Sequence, residues 1–255
     1  MPNKADACLL SLVAVNQTSF VSQILNRSRR SGEWIPRNQK YASWLESNNS
    51  DLLWVAARAG YGKTTLASHI VQNIQGNRSS QASASQVHDS KPVVLFFFFR
   101  NSNLESEGVA TGALRTLICQ LARQVPVVLP IVLRRYELLS SRGNFEWSWE
   151  NLSSMIDDIL EHISHNSCIY IVLDALDECE PESRRVLLDW VQNLVESDEP
   201  STVSRPLTPL RKILVTSRPD GSIFDSLSHF PMIVMTIADT EADMQNLIHS
   251  RIGDF

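Results

Sequence analysis

The feature that most constrains the fold is an alternation of short apolar runs with segments of helical periodicity. The apolar runs are Leu52–Ala57, Pro92–Phe99, Ile169–Leu173, Lys212–Thr216 and Met232–Ile237. They are strand-sized and largely apolar throughout, the pattern of strands covered on both faces. Helical spacing is predicted over Thr64–Ile74, Val109–Gln124, Val127–Leu139, Asn151–Ile163, Pro181–Val195 and Glu241–Arg251. Pro181 suits a first helical turn, as does Pro130 in the third of these segments. Strands alternating with helices predict an α/β chain with a parallel sheet in a three-layer αβα arrangement. In such sheets ligands sit beyond the carboxyl ends of the strands, so those ends are where chemistry is expected.

The chain has 255 residues, 43% of them hydrophobic and 20% charged, enough for one sizeable core. The polar stretches Gln75–Ser90 and Glu196–Pro209 read as surface excursions within one domain. A net charge of −5 gives no electrostatic reason to expect a specific nucleic-acid partner. The four cysteines, Cys8, Cys119, Cys168 and Cys179, are scattered without a CxxC pair and read as reduced thiols. No run approaches the length of a membrane span. Cys8–Val15 has the size of a signal-peptide apolar region, but the residues before it hold one lysine and one aspartate, and no clear small-residue cleavage site follows. A cytoplasmic location is the expectation.

The first strand end carries Gly60-Tyr61-Gly62-Lys63-Thr64-Thr65, which follows an apolar run and opens a helix. That is the context a phosphate loop, or Walker A motif, requires. Glycines let the backbone curl so that N–H groups face phosphate oxygens, and the helix N-terminus adds partial positive charge. Lys63 would meet the β- and γ-phosphates, and the Thr64 hydroxyl would ligand Mg²⁺. The full pattern has glycine where this chain has Ala57. Alanine costs little there if φ is negative and is unfavourable if φ is positive. The alternative reading is a glycine-containing strand–helix turn with a chance lysine.

The second strand end is Asp174-Ala175-Leu176-Asp177-Glu178, after the apolar run that Cys168 opens. A buried strand running into aspartate reads as a Walker B motif. Asp174 would hold Mg²⁺ opposite Thr64, and Asp177 or Glu178 would polarise an attacking water. Spacing does not choose between those two. The same residues also suit an acidic helix start. The third strand end is Thr216-Ser217-Arg218-Pro219. Arg218 could neutralise a γ-phosphate and Thr216 or Ser217 orient water, or the segment could simply end a strand at a proline turn.

These three elements in this order resemble the NACHT branch of the STAND P-loop NTPases, most closely fungal NLR-like proteins and the nephrocystin 3-like N-terminal domain. The flanks agree: Cys8–Leu12, Trp34, Tyr41-x-x-Trp44-Leu45 and Leu53-Trp54-Val55 resemble the lead-in of those fungal proteins. Phe96–Arg100, Trp149-x-x-Leu152 and Asp239–Ile252 resemble their later segments. The resemblance implies a P-loop NTPase fold with a helical lead-in over 1–50 and a NACHT nucleotide-binding domain over 51–255. It implies phosphate-loop contacts from Ala57, Gly60, Tyr61, Gly62, Lys63, Thr64 and Thr65, with Thr64 and Asp174 on the metal. Asp177, Glu178 and Arg218 would be the catalytic set. The ligand would be ATP or GTP with Mg²⁺, hydrolysed slowly, in a signalling switch that self-associates through this domain. An interaction fragment of a larger receptor that turns over nothing is the alternative. The sequence is expected to stop before the helical and winged-helix modules that close over the base in that family.

Other candidates read as structural. His162-x-x-His165 has the spacing for two metal ligands but suits a solvated helix end. His69 lies on the helix after the phosphate loop. Arg27, Arg29 and Arg30 form a small basic cluster of the kind found on solvated linkers. The six tryptophans are expected to pack rather than to stack on bases.

Overall fold

The computed structural model describes residues 3–13, 32–76, 92–100, 109–141, 143, 145–196, 208–241, 243 and 245. The strands are β1 (Asp51–Ala56), β2 (Val93–Phe98), β3 (Cys168–Asp174), β4 (Leu210–Ser217) and β5 (Met232–Val234). They form one all-parallel sheet in the order β2-β3-β4-β1-β5. The helices are α1 (Lys4–Leu12), α2 (Gln39–Glu46), α3 (Lys63–Gly76), α4 (Val109–Gln124), α5 (Leu129–Ser140), α6 (Trp149–Leu160), α7 (Pro181–Glu196) and α8 (Gly221–Leu227). The expected α/β parallel-sheet architecture is present.

Side chains alternate along each strand between two cores, which is why the strands read as continuous apolar runs. Leu52, Trp54, Leu95, Phe97, Ile171, Leu173, Ile213 and Val215 join the core under α1 and α4 to α8. Leu53, Val55, Val94, Phe98, Val172 and Leu214 join the core under α2 and α3. The lead-in contributes to both cores: Cys8 and Leu12 of α1 are fully buried in the first, and Tyr41 and Trp44 of α2 lie in the second. Trp54 is buried too, so the described tryptophans mostly pack, as expected. All four cysteines are buried free thiols. No single helix among the described residues is long and apolar enough to cross a membrane.

The outer edge of β2 is closed by two glutamines one turn apart on α4. Gln124 Oε1 accepts from Val94 N at 3.1 Å and its Nε2 donates to Val94 O at 2.8 Å. Gln120 does the same to Phe96, at 2.8 and 2.9 Å. The amides stand in for a missing neighbouring strand, and they remove the template for pairing with another chain.

The strand expected over Met232–Ile237 ends earlier, at Val234. Asp239 Oδ2 accepts from both Thr236 N and Thr236 Oγ1 at 2.7 Å, capping a helix that starts at residue 237. Met235 N still donates to Ala56 O at 2.9 Å before the chain turns into that helix. Most of the helix expected over Glu241–Arg251, the greater part of both polar stretches and the Arg27–Arg30 cluster lie outside the described residues.

Candidate functional site

The sheet order brings three strand ends together. β4 lies between β1 and β3, with Ala56 paired to Ser217 and Leu173 to Val215. The Gly60–Thr65 loop, the acidic strand end and the Thr216-Ser217-Arg218 segment therefore leave the same edge side by side.

The loop between β1 and α3 turns on two glycines with φ of 81° each. A Cβ at either would meet nothing within 4 Å, so the backbone angle rather than space is what selects glycine. Ala57 is different. Its φ is not positive, its side chain is buried, and its N–H donates to Ser217 O at 3.0 Å, extending the β1–β4 ladder by one step. Alanine at this position is thus unstrained. The first intrahelical bond runs from Leu66 N to Gly62 O. The N–H groups of Gly62, Lys63, Thr64 and Thr65 have no acceptor among the described residues. Lys63 Nζ folds back to the carbonyls of Ala57 and Arg58, at 3.1 and 3.3 Å. Tyr61 packs, partly buried, against the α3-side core. Four unpaired donors, a helix N-terminus and an ammonium make this a setting suited to an anion.

Asp174 is the hub beneath the loop, at 1% exposure. Thr64 Oγ1 donates to its Oδ2 at 2.7 Å, and Thr216 Oγ1 donates to its Oδ1 at 2.6 Å. Thr216 Oγ1 in turn accepts from Ala175 N at 2.9 Å. Burial pushes the Asp174 carboxyl up to about 6, against the pull of Thr216, Thr64 and Lys63, while the Glu178 charge adds to the rise. The carboxylate thus lacks a full countercharge. A hydroxyl and a carboxylate are hard oxygen donors of the kind Mg²⁺ prefers, and a dication would relieve the buried charge, so Thr64 and Asp174 fit the metal role.

After Asp174 the chain makes a left-handed step at Ala175, φ 59° and ψ 46°, the one non-glycine with positive φ among the described residues. A short 3-10 turn, Leu176–Glu178, follows. It carries Asp177 to β4: Oδ1 accepts from Arg218 N at 2.8 Å and Oδ2 from Arg218 Nε at 2.6 Å. Glu178 stays near enough to Asp174 to raise its carboxyl. Ser217 Oγ accepts from Trp54 Nε1 at 2.9 Å and donates to Arg218 O at 2.8 Å. The Thr216 and Ser217 hydroxyls are therefore both committed inside the protein, and neither is available to orient water as sequence reasoning had allowed. The ties from Thr216 to Asp174 and from Asp177 to Arg218 were not predicted. The signal available was the coincidence of short polar residues just past two strands that prove to be neighbours.

The remaining candidates stand apart. His162 and His165 are exposed, and His162 Nδ1 lies 2.7 Å from Asp158 O at the end of α6. Among the described residues no group of three His, Cys, Asp or Glu side chains could hold a metal by itself. His69 is buried on α3 against Asn73. A cavity of about 640 Å³ between α6 and α7, lined by Trp149, Asp157, Asp189, Trp190 and Arg211 among others, shares no residue with the site.

A glycine-turned loop opening a helix, set beside a buried acidic strand end in a 2-3-4-1-5 parallel sheet, defines the P-loop-like class of α/β folds. The family described as nephrocystin 3, N-terminal, matches residues 30–218, and the chain belongs to it. The chain is also similar to vegetative incompatibility protein HET-E-1 of Podospora anserina, 28% identical over 156 residues. That match covers 60% of this chain and 10% of the relative, so it spans only a tenth of the relative's length. Among solved structures, C. elegans PCH-2 aligns at a TM-score of 0.36 and 14% identity, over 91% of this chain and 46% of that one. The E. coli MS115-1 HORMA:CdnC:Trip13 complex contains a chain at 0.34 and 12%, over 92% of this chain and 67% of that one. Likeness at that level extends to neither chemistry nor partners.

Proposed function

We propose that this chain is a NACHT-type nucleotide-binding signalling domain that takes ATP or GTP with Mg²⁺ and hydrolyses it slowly. The observation that carries the reading is the Thr64–Asp174–Thr216 chain of short hydrogen bonds under a loop of unpaired N–H donors. In this reading the loop from Ala57 to Thr65 cradles the phosphates, and Lys63 leaves its two carbonyl partners to meet them. Thr64 and Asp174 would hold Mg²⁺, which supplies charge neutralisation between the outer phosphates. Glu178 polarises water, and Arg218 faces the outermost phosphate. Residues 51–255 form the nucleotide core and 1–50 its lead-in, working in the cytoplasm and self-associating through this domain.

Binding of labelled ATP and GTP to wild type and Lys63→Ala tests the proposal, and equal binding by the two proteins would sink it. A second reading, binding without turnover, is favoured by the full engagement of Asp177 with Arg218, which leaves one carboxylate for catalysis. Hydrolysis no faster than that of Glu178→Gln, with the fold intact, would select it.

A further inference from the structure

We infer that Asp177 is a positioning residue that aims Arg218 at the outermost phosphate of a bound triphosphate, and not a base acting on water. The inference rests on the nucleotide-binding reading above. Asp177 takes two donors from the same residue, Arg218 N and Arg218 Nε, one on each carboxylate oxygen. That pair of bonds fixes both the backbone and the side chain of Arg218. Pro219 follows and confines Arg218 further, because the residue before proline is held to extended backbone.

The burial is one-sided. The Asp177 side chain is 5% exposed and that of Arg218 is 54% exposed, so the anion is walled in and the cation faces out. Held through Nε, the guanidinium keeps its two terminal nitrogens for another acceptor, and these have no partner among the described residues. Those nitrogens form a planar fork suited to phosphate oxygens. Arg218 follows Ser217, which pairs with Ala56 at the mouth of the phosphate loop. The left-handed step at Ala175 is what folds the 3-10 turn back over β4, and Thr216 secures it by accepting from Ala175 N. A carboxylate with both oxygens occupied by one arginine is badly placed to take a proton from water. It is well placed to make that arginine report a phosphate.

The consequence is a separation of effects. A triphosphate reaches the Arg218 fork and a diphosphate does not, so Asp177 should act on the ratio of the two affinities and leave diphosphate binding alone. The test compares Mg²⁺-bound non-hydrolysable ATP analogue with ADP on wild type, Asp177→Asn, Asp177→Glu, Arg218→Ala, Arg218→Lys and the Asp177→Asn/Arg218→Ala double variant. The wild type is expected to favour the triphosphate by about tenfold, the size of one charge-assisted contact. Asp177→Asn and Arg218→Ala should each lower that ratio several-fold with ADP affinity retained; Arg218→Ala should also lower the melting temperature, because it leaves the walled-in Asp177 carboxylate without its cation, and the double variant should lose no more of the ratio. Arg218→Lys should also lose the ratio, because an ammonium cannot bond Asp177 and present a fork at once; Asp177→Glu, which keeps the charge but displaces it by one methylene, should lower the ratio too and decides the matter if Asp177→Asn does not fold. An unchanged ratio in Asp177→Asn, an equal fall in ADP binding, or a further loss in the double variant overturns the inference while leaving the nucleotide reading standing. A wild type that binds neither nucleotide overturns both.

Discussion

Replacing Asp174 by asparagine should stabilise the ligand-free protein while removing the carboxylate proposed to hold Mg²⁺. The carboxyl is fully buried and titrates at about 6 instead of the ordinary 3.8. A rise of about two units corresponds to about 3 kcal/mol of penalty for keeping the group ionised in the folded state. Because the folded-state value is raised, that penalty is complete above about pH 6, shrinks as the pH falls toward 3.8, and is absent below it. Asparagine keeps both hydrogen bonds: its Oδ1 accepts from Thr216, and its Nδ2 donates to a Thr64 hydroxyl that has rotated. The substitution should therefore raise the melting temperature at pH 7.5 by up to about 6–12 °C for a domain of this size. Thermal unfolding of both proteins between pH 7.5 and 5 is the assay, without nucleotide or metal. The advantage should narrow below pH 6. A variant less stable than wild type at pH 7.5, or an advantage that stays constant down to pH 5, would refute the view of Asp174 as a buried, undercompensated charge.

Two other perturbations follow from the backbone. Ala57→Gly should cost about 0.5–1 kcal/mol through unfolded-state entropy without improving nucleotide affinity, since φ there is not positive; Gly62→Ala should cost about 1–2 kcal/mol although its side chain has open space. Denaturant unfolding and nucleotide titration of both variants check this pair. Gln120→Leu with Gln124→Leu should expose the β2 edge, lower stability by about 2–4 kcal/mol for four lost hydrogen bonds, and promote association. Light scattering and melting temperature at several protein concentrations would show it, and a monomer of unchanged stability would speak against the clamp.

Much of this fold was legible because its signals are local and agree with one another. The doubly buried strands carry unbroken apolar runs, and glycines at positive φ mark the loop at Gly60 and Gly62. Helix boundaries were close, with α7 beginning at Pro181 as expected. What could not be read depends on which strands become neighbours. Asp177 reads as a candidate base because it adjoins Glu178 and spacing does not choose between them; the β3–β4 adjacency that brings Arg218 onto it is invisible in local sequence. Thr216 and Ser217 looked free for water because hydrogen-bond partners more than 40 positions away leave no trace in local sequence. The Ala57 departure looked like a defect because its backbone angle is invisible in sequence. The buried charges at the start of β4 were missed for the same reason: Lys212, at 1% exposure, is held by Ser47 beside α2.

The central claim is that the Lys63 loop binds nucleoside triphosphate. Equilibrium binding of labelled ATP and GTP in the presence of Mg²⁺ to wild type and Lys63→Ala measures it directly, with melting curves confirming that both are folded. Saturable binding by wild type, weakened at least about tenfold in Lys63→Ala by loss of a charge-assisted phosphate contact, is the expected result. Equal binding by the two proteins, or no binding by a folded wild type, would contradict it.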